Sequence, residues 1–245
     1  MLIDQFFRQV AALTEKVRMT QVSAIEASAR LIVDALEARR RTFVFGSGHS
    51  NVLTQEVVLR AGELAIFNPL FVAGLMPTDY PYIRSAFMER ISGVAAAVLE
   101  TTPVEGGDII VIISTSGRNH VPIEMALEAK KRGLRVIALT SVEFSSQFEP
   151  RHPSGKKLFE IADVVIDSCC PPGDGSVEVP GIPAKIGPVS TILGAVILHA
   201  ISCRICDLLL ERGLTPPIFR SGNVDGASEY DKQIRKYYEE HLVHA

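Results

Sequence analysis

Two short stretches concentrate hydroxyl groups directly after apolar runs. Gly46-Ser47-Gly48-His49-Ser50 follows Thr42-Phe43-Val44-Phe45, and Ser114-Thr115-Ser116-Gly117-Arg118-Asn119 follows Asp108-Ile109-Ile110-Val111-Ile112-Ile113. Hydroxyls and backbone amides can satisfy the terminal oxygens of a phosphate without a lysine, and Arg118 is the one charged side chain here. Both stretches open into helical patterns, where free N–H groups and the helix dipole favour an anion. The dipole contributes only about 0.3–1 kcal/mol, so direct hydrogen bonds must supply most of the binding. Gly46, Gly48 and Gly117 permit close backbone approach. Either stretch alone reads equally well as a tight strand-to-helix turn with N-capping serines. The two together, ending two strands of one sheet, favour a ligand.

Other phosphate and nucleophile motifs fail on detail. The first loop lacks the third glycine of a dinucleotide fingerprint, and Phe67-Asn68 supplies no acidic residue for a ribose. No Gly-Lys-Ser/Thr ending exists for a nucleotide phosphate loop, and Gly48-His49-Ser50-Asn51-Val52 lacks the second glycine of a nucleophile elbow. Moving a proton next to a carbonyl needs a carboxylate or histidine and a polar group to stabilise the enediolate. Glu56 lies one to two helical turns beyond the first loop, and His49 within it. His199 falls inside an apolar helix, with reach toward a neighbouring subunit, and Glu89 precedes Arg90. Each has a plainer use: Glu56 as a salt-bridged helix residue, His199 as a satisfied core histidine, Glu89-Arg90 as a surface pair. His49, in a glycine-flanked loop, reads as a ligand contact.

The elements that must position these groups alternate between helix and strand. Apolar spacing predicts helices over Ile3–Val17 and Met19–Arg40. Strands follow at 42–45, 64–67, 108–113, 135–139 and 164–166, with helices over 51–61, 82–101, 121–132 and 189–212. Cys170–Pro188 reads as a long surface excursion. A polar helix to about His241 ends the chain. This order implies α/β architecture, a five-stranded parallel sheet in an αβα sandwich with N- and C-terminal helical extensions. We expect one domain over 1–245, with N-terminal helices over 1–40, a core over 41–212 and a tail over 213–245. Asn223-Val224-Asp225-Gly226 is a polar turn in that tail, and we expect Asn223 and Asp225 to fold over the sugar end of a pocket, its own or a partner's.

Composition narrows the function classes. The 245 residues carry 25 basic and 28 acidic side chains, a net charge of -3 that lacks the excess expected of a nucleic-acid binder. No tryptophan is present and aromatics make up 7%, so stacking on bases or sugar rings does not dominate recognition. The N-terminus meets charge too early for a signal peptide. The uncharged run Pro188–Cys203 falls short of the roughly 17–25 residues of a spanning helix. These features imply a cytoplasmic location with no membrane partner. Cys169, Cys170, Cys203 and Cys206 read as ordinary buried thiols rather than a zinc or redox site. No metal or cofactor is expected. The apolar face of the helix over Val189–Leu210 exceeds what one sheet covers, which implies a homo-oligomer.

Phe45-Gly46-Ser47-Gly48-His49-Ser50, Ile113-Ser114-Thr115-Ser116-Gly117-Arg118-Asn119 and Ala162-Asp163-Val164-Val165-Ile166 together resemble the SIS (sugar isomerase) phosphosugar-binding domain. The chain resembles more closely a bacterial subgroup of sugar isomerase domain-containing proteins, loosely related to phosphoheptose isomerase. That likeness runs through Val121–Gly133, Ser154-Gly155-Lys156-Lys157-Leu158, Gly187-Pro188-Val189-Ser190-Thr191 and Asn223-Val224-Asp225-Gly226. The resemblance implies a flavodoxin-like topology, a dimer or tetramer, and a phosphorylated sugar as ligand. Ser47, Ser114, Thr115 and Ser116 would hold its phosphate. Many members continue Ser-Gly-x-Ser/Thr, whereas Asn119 stands here, which changes the hydrogen-bond geometry at that point. Three functions stay open: a phosphosugar isomerase, a phosphosugar-sensing module, and a lyase or etherase that begins with the same proton abstraction.

Overall fold

A computed structural model describes residues 1–226 and 228–243; the side chains of Glu240 and His241 lie outside the described set. Two helices, α1 (Leu2–Thr20) and α2 (Val22–Glu37), precede β1 (Thr42–Gly46). Next come α3 (Asn51–Glu56), β2 (Phe67–Pro69), α4 (Arg84–Met88), α5 (Val94–Thr101) and β3 (Ile109–Ile113). The chain continues through α6 (His120–Lys131), β4 (Arg135–Thr140), α7 (Val142–Ser146) and β5 (Val164–Asp167). It ends with β6 (Gly175–Glu178), β7 (Lys185–Pro188), α8 (Ser190–Glu211) and α9 (Glu229–His241).

The main sheet has the order β2-β1-β3-β4-β5 and every pair is parallel. Strand alternation assigns its two faces. Val44, Val111, Ile113, Leu139 and Ile166 pack with α1, α2, α3 and α8. Phe43, Phe45, Ile110, Ile112 and Val136 pack with α5 and α6. Because β1 and β3 are neighbours in register, Gly46 opposite Ile113, the two hydroxyl loops leave the same end of the sheet side by side.

Four local expectations change. The apolar run 64–67 is mostly not β2. Ala65 N–H donates to Pro217 O at 2.8 Å and Phe219 N–H to Glu63 O at 2.9 Å, so this run pairs antiparallel with the tail. The strand proper is Phe67–Pro69, on the sheet edge, where proline's missing N–H is tolerated. The helix expected over 82–101 breaks into α4 and α5 at Gly93, which is left-handed at φ 89°. Glu124 of α6 caps the new helix start, accepting from Gly93 N–H at 2.7 Å and Ala95 N–H at 3.0 Å. The excursion over 170–188 contains an antiparallel hairpin, β6–β7. Cys203 is exposed rather than buried; all four cysteines are free thiols.

Asp174 ties that hairpin to α8. It sits at φ 69° and accepts from Val189 N–H at 2.9 Å, Ser190 N–H at 2.7 Å and Ser190 Oγ at 2.7 Å, serving helix donors that lack an intrahelical partner. Burial pushes its carboxyl upward, but hydrogen bonds from Ser190, Cys170 and Val189 outweigh that and hold it below the usual aspartate range. A depressed folded pKa means the contribution is complete above the unfolded value and lost as pH falls through the folded one. Asp174→Asn is therefore expected to cost about 1 kcal/mol at neutral pH. Thermal melts should show the gap to wild type closing in acid; a gap independent of pH would contradict this.

α8, 22 residues long, is among the described residues the one helix long and apolar enough to cross a membrane. Half of its apolar window is buried within the protein, against a cluster that includes α2 and α3 residues. The helix expected over 189–212 is found at Ser190–Glu211, continuing past the uncharged run through Arg204 and Asp207.

Candidate functional site

The serines of the two loops do not cap helices. Ser47 and Ser50, at the starts of the short 3-10 turn Gly48–Ser50 and of α3, make no side-chain cap, nor does Asn119 at the start of α6. Their polar groups go elsewhere, and two of them go to one place. Ser47 Oγ donates to Glu89 Oε1 at 2.5 Å and Asn119 Nδ2 donates to Glu89 Oε2 at 2.7 Å. One carboxylate thus lies between the loops, held by a donor from each. Glu89 is also fixed through its backbone, its carbonyl accepting from Val121 N–H at 3.1 Å in the first turn of α6. Its sequence neighbour Arg90 is not its partner, contrary to the surface-pair reading.

The first loop is shaped for this approach. Gly48 is left-handed at φ 55°, and a Cβ there would lie 3.2 Å from Glu89 Oε1. The second loop is tighter. Gly117 has φ 56°, and a Cβ would meet Thr140 Oγ1 at 2.8 Å and Ser145 Oγ at 3.1 Å. Ser114 Oγ accepts from Gly117 N–H at 3.2 Å, closing the turn. Among the described residues, the hydroxyls of Ser50, Thr115 and Ser116 have no hydrogen-bond partner within the chain, and His49 is exposed with none. These groups are available to a ligand at the end of the sheet where α/β folds bind one.

A third segment completes the wall, and sequence reasoning missed its place. Leu158 N–H donates to Gly117 O at 3.0 Å and Arg151 N–H to Arg118 O at 2.8 Å, pinning residues 148–158 along the second loop. Arg151 Nη1 donates to Asn119 Oδ1 at 2.8 Å, and Arg118 Nε to Glu149 O at 2.9 Å. The run Arg151-His152-Pro153-Ser154 carried a hint in its Pro- and Gly-bounded turn, but nothing in spacing tied it to Asn119.

Glu56 and His199 form a separate cluster. His199 Nδ1 lies 2.9 Å from Glu63 Oε2 and His199 Nε2 lies 3.1 Å from Glu56 Oε1, so the imidazole bridges the two carboxyl groups. Glu56 also pairs with Arg60 at 3.0 Å, and Glu63 is 1% exposed. This cluster joins the end of α3 to the middle of α8, and no hydrogen bond links it to Ser47, Glu89 or the second loop among the described residues. The sequence offered Glu63 only as one acid before an apolar run. The tail likewise stays apart. Asp225 lines a groove of about 700 Å³ with Leu59, Phe219, Arg220 and Tyr238, and Asn223 N–H bonds to Ser221 Oγ. Within this chain neither Asn223 nor Asp225 bonds to the hydroxyl loops, because pairing of 217–219 with 62–65 draws the tail along the sheet edge.

Cys206 is pushed up to about 11, chiefly by burial and then by Cys203, which disfavours a thiolate. Among the described residues no group of three or more His, Cys, Asp or Glu is arranged to hold a metal.

Residues 5–141, which contain both hydroxyl loops, match the SIS domain. The chain belongs to the SIS domain family. A UPF0309 protein of Streptomyces coelicolor is 40% identical over 241 residues, covering 98% of this chain and 96% of that one. A phosphoheptose isomerase from Francisella tularensis shares the fold of this SIS protein with a TM-score of 0.55 and 19% identity, over 84% of this chain and 96% of that one. The Vibrio vulnificus NanR protein, solved in complex with ManNAc-6P, superposes with a TM-score of 0.51 at 12% identity, over 98% of this chain and 68% of that one.

Proposed function

We propose that this SIS protein binds a phosphorylated sugar between its two hydroxyl loops and interconverts its aldose and ketose forms through an enediolate. The observation that carries this reading is the convergence of Ser47 and Asn119 on one carboxylate: donors from two loops define an anion position between them. Ser50, Thr115 and Ser116 supply hydroxyls around it, and a phosphate held there leaves the sugar carbons beside Glu89. Family membership and a fold shared with a phosphoheptose isomerase support the same reading.

Glu89 is favoured over Glu56 as the base. Its carboxylate already touches both loops, whereas Glu56 is engaged by Arg60 and His199. Glu89 would take the proton from the carbon next to the carbonyl and return it to the adjacent one, with His49 polarising the carbonyl oxygen. His199, braced by Glu63, keeps a catalytic role only where an oligomer presents it to another copy's loops. Ile192, Val196 and Leu210, exposed along α8, fit a homodimer or homotetramer.

Incubating the protein with sugar phosphates in deuterated water tests the chemistry. Deuterium entering next to the carbonyl supports the isomerase, binding without exchange supports a sensing module, and loss of a β-substituent supports a lyase. Ser116→Ala should weaken sugar-phosphate binding by about tenfold or more, since hydrogen bonds to charged groups contribute about 1.5–3 kcal/mol. The melting temperature of the protein without ligand should hardly change, because that hydroxyl has no partner among the described residues to lose. Unchanged affinity in a calorimetric titration would remove Ser116 from the site.

A further inference from the structure

Three arginines gather on one side of the proposed cradle. Arg151 reaches Glu89 through a single amide: Arg151 Nη1 bonds Asn119 Oδ1, and Asn119 Nδ2 bonds Glu89 Oε2. Arg118 lies against Arg151 through the main chain, with its guanidinium carbon 5.2 Å from the Phe148 ring centre. Arg90 follows Glu89 directly. None of the three forms an ion pair among the described residues, although Arg132, Arg204 and Arg212 elsewhere each hold two or more carboxylates.

Like charges therefore lie near one another here with no carboxylate paired to them among the described residues. A guanidinium offers five donors; Arg118 spends Nε and Arg151 one Nη1 bond, and their other donors make no hydrogen bond among the described residues. Burial and then the like charges of Arg118 and Arg90 lower the pKa of Arg151, with Glu89 alone opposing. Burial and then His120 also lower His152 beside them, so the positive charge here at neutral pH comes from arginine. The hydroxyl loops do not need this charge, because neutral donors and backbone amides can hold one phosphate. Bidentate guanidinium recognition suits a planar carboxylate or a phosphate.

We infer that Arg90, Arg118 and Arg151 form a second anion subsite, so that the preferred ligand is a sugar phosphate carrying a further anionic group, a carboxylate or a second phosphate. This rests on the phosphosugar reading above and refines it. The phosphate occupies the hydroxyl loops and the second anion lies beyond Asn119, toward residues 148–152.

Calorimetric titration of the full-length protein tests this with four probes: inorganic phosphate, fructose 6-phosphate, fructose 1,6-bisphosphate and 6-phosphogluconate. At least one doubly anionic sugar should bind about tenfold more tightly than fructose 6-phosphate, and which one does so separates second phosphate from carboxylate. Arg90→Met, at an exposed position whose side chain forms no hydrogen bond or ion pair among the described residues, should abolish that advantage while leaving fructose 6-phosphate within about twofold of wild type. Arg151→Met, which also releases Asn119, should lower the affinity of the doubly anionic sugar by more than that of fructose 6-phosphate. Equal affinity for singly and doubly anionic sugars overturns the subsite but not the cradle. So does an equal loss for every probe, which would make the arginines part of the single phosphate site. Failure of even inorganic phosphate to bind wild type overturns both.

Discussion

Glu89→Gln is expected to lower proton exchange at the sugar by about 10²–10⁴-fold, the range for losing a general base, while phosphate affinity stays level or rises. The two effects have opposite signs for one reason. In the empty protein the carboxylate uses Ser47 and Asn119 as donors, so an incoming phosphate must compete with a like charge for the same groups. The neutral amide keeps an acceptor for one of these donors and removes the repulsion. It costs about 1 kcal/mol of stability through the remaining mismatch. Were Glu89 only a brace between loops, its replacement would lower affinity and melting temperature together. Phosphate titration, melting and deuterium wash-in on the same variant distinguish the cases, and Glu89→Asp should restore part of the exchange but not all, because the shorter chain withdraws the base by one methylene.

That Glu89 matters more than Glu56 could not be read from the chain. Periodicity predicted a continuous helix over 82–101, which would carry Glu89 along as one more surface acid. Gly93 ends that helix with left-handed geometry, and the freed α4 segment turns the carboxylate back over the first loop. A glycine within an alanine-rich pattern is compatible with either outcome; the deciding term is Glu124, 31 residues away in sequence but in direct hydrogen-bond contact, which caps the new helix start. The parallel sheet was legible because its central strands β1 and β3 are buried throughout and follow from nearly unbroken apolar runs. The edge was not: residues 64–67 are as apolar as a strand yet pair with 217–219, and no local signal distinguishes a parallel from an antiparallel partner. The hydroxyl loops were legible in kind because their residue types are unusual at strand ends, while the arginine wall depended on a pinning of residues 148–158 that only tertiary contacts reveal.

His199→Ala should destabilise the protein by about 3 kcal/mol, near the lower end of the range for leaving a buried charge without its partner. Glu63 is 1% exposed, and with the imidazole gone its Oε2 loses the one hydrogen-bond partner it has among the described residues, while Oε1 keeps Leu64 N–H. The imidazole itself is 38% exposed, so truncation admits water, which is why the upper end of the range is not reached. For a chain of this size that loss lowers the melting temperature by roughly 6–12 °C. Glu63→Gln in the His199→Ala background should recover part of it, because an amide tolerates the unpaired position better than a carboxylate. A double-mutant cycle reads that coupling directly, and strictly additive losses would mean the pair contributes nothing together. The same variants settle the chemistry of the cluster. Assayed well below its melting temperature, His199→Ala retains deuterium exchange if Glu89 and the hydroxyl loops suffice within one chain. If exchange disappears while sugar-phosphate binding persists, the imidazole takes part in proton transfer, and because no hydrogen bond among the described residues joins it to the loops of its own chain, it must then act on a second copy.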